Sequence, residues 1–227
     1  MARILRKLTM TPLKIDFVSD IACPWCAVGL GGLEQALQRL QGEVQADLHF
    51  QPFELNPHMP PGGQDLGEHL TEKYGSTPEQ QAQIRKTITE RGAEVGFVFN
   101  PNGRGRVYNT FDAHRLLHWA EGQGDGAQHA LKKALLQAYQ GRAECVEDPQ
   151  VLLASVAAAG LDVSAANAVL QSDAHTAEVR ERQQFYTHAG IRSVPAVIIN
   201  DKHLISGGQP VEVFEQALRR IASGEVA

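Results

Sequence analysis

The sequence contains little cysteine, no long apolar run and no strong excess of charge of either sign. Three cysteines among 227 residues are too few for a fold held together by disulfides. No apolar stretch approaches the roughly 20 residues that a membrane-spanning helix needs, so we expect no membrane partner. The 21 basic and 26 acidic side chains leave a net charge of −5. We expect no nucleic-acid partner, because such partners usually require a clustered basic surface.

The amino-terminal segment lacks the apolar core of a secretory signal peptide. Residues 1–10 are basic, but the mixed sequence from Thr11 to Asp16 follows them directly, which is not a signal-peptide pattern. We therefore expect a cytoplasmic protein whose translation starts at Met1 or at Met10. The length suits one large domain or a domain that carries an insertion.

The order of predicted elements indicates an α/β domain. Residues 13–19 are typical of a strand, a helix with leucines at helical spacing follows, and residues 46–53 predict a second strand. Near the carboxyl terminus, residues 194–206 predict a β-hairpin, and Pro210 begins a last amphipathic helix.

The segment between these two groups of elements carries helix signals. Thr77 is followed by Pro78 and, two residues later, by Gln80, a pattern typical of a capped helix start. We therefore predict one discontinuous α/β domain at residues 1–54 and 173–227, with an all-helical domain at residues 55–172 inserted between its halves.

The most informative motif is the pair Cys23 and Cys26, separated by Pro24 and Trp25. Cys23 falls where a strand ends and a helix begins, so free backbone amides and the helix dipole stabilise its thiolate. Such positions lower the pKa of cysteine from about 8.5 to roughly 3.5–7.5. Cys26 lies one turn later and is placed to attack a mixed disulfide formed at Cys23. We predict that Cys23 is the nucleophile and that Cys26 is the resolving thiol.

The alternative interpretation of the cysteine pair is half of a zinc site. Structural zinc needs four ligands, and Cys145 is the only other thiol. His114 and His118 share a helix face, but no thiolate or acid accompanies them, so we expect no metal. Cys145 is flanked by Glu144 and Glu147 and is expected to be a bystander in redox chemistry.

A second signal is the dipeptide Val194-Pro195, which opens an apolar strand. A proline there removes one hydrogen-bond donor from the sheet. With this order of elements, we expect the Val194–Pro195 peptide bond to be cis and Pro195 to lie beside the cysteines. The backbone of Val194 would then be exposed to an extended substrate segment.

Three segments carry a family resemblance. Residues 19–29 around the cysteine pair, residues 109–119 and residues 190–210 resemble the DsbA family of thioredoxin-fold oxidoreductases, in particular its FrnE-like branch. The likeness extends from about Leu13 to about Ile221 and includes the predicted insertion.

The resemblance implies a thioredoxin-like fold interrupted by a helical domain. It also implies thiol–disulfide exchange at Cys23 and Cys26, with a cis-proline at Pro195. We expect the substrate to be a disulfide-containing protein or small molecule, and the protein to be a monomer or a homodimer. The direction of the redox reaction does not follow from the sequence.

The same superfamily includes glutathione-dependent 2-hydroxychromene-2-carboxylate isomerases and kappa-class glutathione transferases. In those proteins the position that matches Cys23 is typically serine, so two cysteines favour redox exchange. The isomerase or transferase alternative stays open, because Cys23 could hold glutathione in a mixed disulfide. Glutathione is the one redox partner that we consider, and we expect no other cofactor. A binding module without catalysis is a third interpretation.

Asp20 lies three residues before Cys23 and matches an acidic residue of the superfamily. It is a candidate to cap the helix or to relay a proton to a leaving thiolate, although a solvated loop carboxylate would explain it equally well. Pro24 and Trp25 are candidate substrate contacts. For Trp25 the alternatives are an exposed apolar platform and packing against the helical insertion.

The last candidates lie in the predicted insertion. Asn109, Phe111 and His114 could line the cleft that faces the cysteines, but helix-start and core duties would also account for them. Arg104 and Arg106 stand in a glycine-rich loop that could bind an anionic group such as a glutathione carboxylate. The alternative for that loop is a solvated tip.

Overall fold

The computed structural model describes residues 10–225, so the basic leader at residues 1–9 lies outside the described residues. A four-stranded sheet joins both ends of the described chain, and a mostly helical segment separates them. The elements in chain order are β1 (Thr11–Ser19), α1 (Pro24–Arg39), β2 (Val44–Pro52), β3 (Gln64–Asp65), α2 (Leu66–Tyr74), α3 (Pro78–Glu94), β4 (Arg106–Val107), α4 (Phe111–Glu121), α5 (Ala127–Leu136), a π-helical turn (Gln137–Gly141), α6 (Pro149–Ala158), α7 (Val163–Leu170), α8 (Thr176–His188), β5 (Ala196–Ile199), β6 (His203–Ser206) and α9 (Val211–Ala222).

Strand β1 lies inside the sheet, whose order is β2-β1-β5-β6. It pairs in parallel with β2, which places Ile15 opposite Leu48, and antiparallel with β5, which places Ile15 opposite Ile199. Helix α9 packs on α1 and contacts β1, while α4, α5 and α8 contact β2. Leu13, Ile15 and Phe17 of β1 alternate with Lys14 and Asp16, and these three apolar side chains are buried in the core. The predicted α/β fold class is confirmed.

The segment between β2 and β5 differs from its prediction in two places. Strands β3 and β4 form a short antiparallel pair, so this segment is not helical throughout. Helix α2 was not predicted. The predicted helix start at Thr77 is confirmed, because Thr77 and Gln80 form a reciprocal capping box. The domain limits at residues 54/55 and 172/173 stay a prediction.

One apolar core runs through both parts of the protein. Phe17 of β1 and Leu33 of α1 belong to the same buried cluster as Leu116 of α4 and Leu135 of α5. The inserted helices are therefore packed on the sheet and its helices and share their core. Within residues 10–225, every helix is too short or too polar to cross a lipid bilayer.

A glycine in α1 allows this helix to approach the loop before β5. A Cβ atom at Gly29 would lie 2.9 Å from Cγ of Pro195 and 3.4 Å from Cα of Gly208. The first distance is shorter than normal packing permits, so a side chain at residue 29 would push α1 away from Pro195. Since Pro195 and the cysteines lie on the two sides of this contact, Gly29 helps to hold the site together.

We predict that Gly29→Val lowers the free energy of unfolding by about 1–3 kcal/mol, because extra methyl groups overpack this contact. The matched control is Gly122→Val, since a Cβ at Gly122 meets nothing closer than 3.7 Å and its φ is −87°. The control should change stability by no more than about 0.5 kcal/mol. Denaturant unfolding measures both, and equal midpoints for the two variants would contradict the prediction.

Candidate active site

The cysteine pair lies at the amino-terminal end of α1, as the sequence predicts. Cys23 is the N-terminal cap residue in an extended conformation, and Pro24 is the first residue of the helix. The amide of Cys26 donates to the carbonyl oxygen of Cys23 at 3.1 Å, which closes the first turn over the pair. Both cysteines are free thiols and both are buried. This geometry brings two sulfurs to one helix terminus, where backbone amides point outward.

The loop before β5 supplies the other side of the site. The Val194–Pro195 peptide bond is cis, which confirms the prediction. The thiol of Cys23 donates to the carbonyl oxygen of Val194 at 3.3 Å. The structure therefore brings together the cysteines of α1 and the proline loop, 171 residues further along the chain.

The surroundings of the two thiols separate their acidities. The Cys26 thiol is the largest influence on Cys23 and lowers its pKa, burial acts in the opposite direction, and the amides of Cys26 and Trp25 lower it further. The net result is a pKa for Cys23 below the ordinary cysteine value. Burial raises the pKa of Cys26 well above that value, and Cys23 adds to the rise. Cys23 is therefore the sulfur that ionises first.

Asp20 is buried directly behind the cysteine loop. Its carboxylate accepts hydrogen bonds from the amides of Ala22 at 3.0 Å and Leu55 at 2.8 Å. Nε2 of His114 lies 3.6 Å from Asp20 Oδ1. Burial raises the pKa of Asp20, but His114 and the two amides outweigh it, so the pKa is lowered.

Two of the expectations for Asp20 are wrong. The cap residue of α1 is Cys23, which has no side-chain capping bond, so Asp20 does not cap the helix. Nor is Asp20 a solvated carboxylate, because only 1% of its surface is exposed. It holds the loop before Cys23 to the segment that follows β2. A role in proton relay stays a prediction.

A cavity of about 710 Å³ opens at Cys23. Four predicted site residues lie in its wall: Cys23, Pro24, Trp25 and Val194. Its other walls come from the segment after β2, from α2 and α3, from the loop before β4 and from the loop before Val194. They include Glu54, Leu55, His69, Leu70, Lys73, Tyr74, Ile84, Ile88, Arg104 and Arg192.

Trp25 is half-buried, and its ring packs on the backbone after β6. A Cβ at Gly208 would lie 3.0 Å from the carbonyl oxygen of Trp25 and 3.3 Å from Cε3 of its ring, so a side chain at residue 208 would crowd Trp25. Trp25 thus contributes one face to the cavity and rests on the thioredoxin-like part of the chain. This contact is not the predicted packing against the helical insertion, so the choice between a platform and such packing stays a prediction.

Helix α2 is the part of the site that the sequence reasoning missed. Lys73 donates from Nζ to the carbonyl oxygen of Leu55 and to Oδ1 of Asn56, each at 2.7 Å. The signals for α2 were present, since Asp65 caps its first amides and Gly75 ends it in the left-handed region with φ +66°. The run of proline and glycine before it obscured them.

Basic side chains lie around the cavity. Arg104 donates to the carbonyl oxygen of Ala22, and its guanidinium lies 5.1 Å from the centre of the Tyr139 ring. Lys73 and Arg192 also line the cavity. The glycine-rich loop is thus part of the site wall through Arg104, and the solvated-tip interpretation is wrong for that residue.

Asn109, Phe111 and His114 do not line this cavity, so the placement predicted for them is wrong. Oδ1 of Asn109 accepts from the amide of Phe111 at 2.8 Å and serves the start of α4. The guanidinium of Arg180 lies 3.7 Å from the centre of the Phe111 ring. His114 is buried, and its Nε2 lies 3.6 Å from Asp20 Oδ1.

The two histidines of α4 serve separate contacts. His114 faces Asp20, whereas the ring of His118 lies 5.2 Å from that of His175. In the part of the chain from residue 10 to residue 225, no group of three or more His, Cys, Asp or Glu side chains is arranged to hold a metal ion.

We predict that Cys26→Ala raises the pKa of Cys23, because the Cys26 thiol is the largest influence that lowers it. The rate at which iodoacetamide modifies Cys23, followed by mass spectrometry as a function of pH, should show its midpoint at higher pH in the variant. Cys145→Ala is the control and should leave the midpoint in place. A midpoint that moves to lower pH in Cys26→Ala would show that the cause is wrong.

Comparison with known proteins identifies the family of the chain. Residues 14–219 match the family model of the DSBA-like thioredoxin domain. The structure is similar to the crystal structure of a probable DsbA oxidoreductase, SCO1869, from Streptomyces coelicolor. Those two chains share 32% sequence identity and superpose with a TM-score of 0.84, covering 95% of this chain and 92% of the other.

Two more distant proteins extend the comparison. The uncharacterized protein YwbO of Bacillus subtilis is 27% identical over 206 residues, which cover 90% of this chain and 94% of YwbO. The cytosolic disulfide reductase DsbM from Pseudomonas aeruginosa, solved with GSH, shares the fold with 16% identity and a TM-score of 0.64, covering 92% and 99% of the two chains. The match over residues 14–219 confirms the resemblance seen in the sequence. The chain belongs to the DSBA-like thioredoxin domain family.

Proposed function

We propose that this protein is a thiol–disulfide oxidoreductase that uses the Cys23–Cys26 pair. The observation that carries the proposal is the difference between the two thiols, since the pKa of Cys23 is lowered and that of Cys26 is raised. One sulfur is then a nucleophile while its neighbour stays protonated until it is needed, which suits stepwise exchange. The family supports the same class of reaction.

In the reducing direction the thiolate of Cys23 attacks one sulfur of a substrate disulfide. A bond forms between Cys23 and that sulfur, and the other substrate sulfur leaves as a thiolate. Cys26 then loses its proton and attacks Cys23, which releases the second substrate thiolate and leaves a Cys23–Cys26 disulfide. The substrate gains two electrons and the protein pair loses them. In the oxidising direction the same steps run in reverse.

The substrate is proposed to be a disulfide of a small molecule or of a narrow protein segment. Only 5% of the surface of Cys23 is exposed, so the disulfide has to enter the cavity to reach it. The volume of about 710 Å³ lies within the range of small-molecule sites. Tyr74 and Ile84 are exposed apolar side chains in the cavity wall, and they suit an apolar group next to the disulfide.

Glutathione is proposed as the thiol that returns the pair to its reduced form. Lys73, Arg104 and Arg192 give the cavity a positive wall that favours a carboxylate-bearing thiol. DsbM, which shares this fold, was solved with GSH. We also propose a cytoplasmic location, which is where DsbM acts as a cytosolic disulfide reductase.

We predict that mild oxidation removes two of the three titratable thiols reversibly, and that Cys145 is the thiol that persists.

Insulin-disulfide reduction with glutathione as the electron donor should be lost in Cys23→Ser, because serine cannot form the mixed disulfide. Cys145→Ala is the matched control and should reduce insulin as the wild type does.

A second assay distinguishes the proposed oxidoreductase from the isomerase or transferase alternative. It measures glutathione-dependent isomerisation of a 2-hydroxychromene-2-carboxylate substrate by the same variants. Isomerase activity that survives in Cys23→Ser, together with absent insulin reduction in the wild type, would favour an isomerase or transferase. An intact complement of three titratable thiols after oxidation would also contradict the proposed exchange.

A further inference from the structure

Lys132 is a buried lysine that has no role in the exchange steps described above. It lies in α5, none of its surface is exposed, and its Nζ has no hydrogen-bond partner among the described residues. Its neighbour in sequence, Lys133, is exposed and pairs with Glu34 at 2.9 Å. Removing an ammonium group from water is costly unless negative charge lies nearby. The position of Lys132 therefore calls for a compensating anion.

The face of α5 that carries Lys132 is fixed against the site. Gln128 lies one turn earlier, and its side chain accepts from the amide of Phe50 at 2.8 Å and donates to the carbonyl oxygen of Phe50 at 3.1 Å. Gln140, in the π-helical turn that follows α5, donates to the carbonyl oxygen of Ile21 at 2.7 Å. These bonds attach α5 and the turn after it to β2 and to the cysteine loop. One attachment precedes Lys132 in the sequence and the other follows it.

The acidic groups whose charge would stabilise the Lys132 ammonium belong to the redox site. Burial lowers the pKa of Lys132, and the groups that oppose this effect are Cys26, Asp20 and Cys23. Lys132 in turn lowers the pKa of Cys26. Other titratable groups around this buried cluster are His114, whose Nε2 lies 3.6 Å from Asp20 Oδ1, and Tyr139, whose pKa is raised mainly by burial and also by Asp20.

We propose that Lys132 is a positioning residue of the exchange reaction, whose ammonium is the fixed counter-charge for the thiolate that the Cys23–Cys26 pair gains on reduction. This inference rests on the proposed function. The oxidised pair is neutral, whereas the reduced pair carries a negative charge on sulfur. A buried cation therefore stabilises the reduced form relative to the disulfide. The buried carboxylate of Asp20 acts in the opposite direction, and Lys132 offsets it.

The test is the equilibrium of Lys132→Met with mixtures of reduced and oxidised glutathione at neutral pH. Methionine keeps the length of the side chain and removes its charge. We expect the equilibrium to shift about tenfold toward the Cys23–Cys26 disulfide, which corresponds to a reduction potential lower by about 30 mV. The absorbance of the thiolate in reduced protein should also titrate at higher pH than in the wild type.

Lys133→Met is the matched control, since it removes one positive charge from the next residue of the same helix, on the exposed side. Its equilibrium with glutathione should stay within about twofold of the wild type, because exposed charges are screened by solvent. A purely structural role for Lys132 would weaken the oxidised and reduced forms equally. Our proposal requires Lys132→Met to lower the free energy of unfolding of the reduced form more than that of the oxidised form. Denaturant unfolding of the two forms measures this difference.

If Lys132→Met fails to fold because Asp20 is left without its counter-charge, the comparison is made in Asp20→Asn. Adding Lys132→Met to that variant should give the same shift of about tenfold. A shift below twofold in either background would overturn the inference while leaving the exchange reaction intact. A wild-type protein without a reversible Cys23–Cys26 couple would instead overturn the proposed function.

Discussion

The stability of a negative charge on the Cys23 sulfur depends on the groups that the rest of the structure places around it. Strand β1 delivers Cys23 to the start of α1, where the amides of Trp25 and Cys26 face the sulfur and the helix dipole is positive. The Cys26 thiol adds to that stabilisation, while burial and Asp20 oppose it. The sheet, the cis-proline loop and the inserted helices all converge on this one group. Together they lower the pKa of the Cys23 thiol and raise that of the Cys26 thiol.

The chemistry that depends on local sequence could be predicted. The position of the Cys23 sulfur follows from local sequence, because a strand ends just before it and a helix begins at the proline just after it. The start of a helix is determined by neighbouring residues. The capping box at Thr77 follows the same logic. The position of Pro195 beside the cysteines needed the overall order of elements, and that order was readable from the strands at both ends of the chain.

What could not be predicted depends on packing between distant segments. Lys132 and Lys133 are identical residues side by side, and only the rotation of α5 on β2 decides that one is buried and the other exposed. Helix α2 closes the cavity, yet the preceding proline-rich run looked like a plain linker. The sequence allows Phe111 to line the cleft or to serve the start of α4, and only the three-dimensional path of α4 shows that its ring lies against Arg180.

The hydrogen bond from the Cys23 thiol to the carbonyl oxygen of Val194 links reactivity to recognition. A thiolate has no proton to donate, and neither has a sulfur engaged in a mixed disulfide. When Cys23 ionises, the carbonyl oxygen therefore loses its donor and becomes free to accept an N–H group from an arriving substrate. In the proposed exchange reaction, ionisation of Cys23 thus also makes the carbonyl oxygen of Val194 available to the substrate, and reprotonation of the sulfur after release occupies that oxygen again.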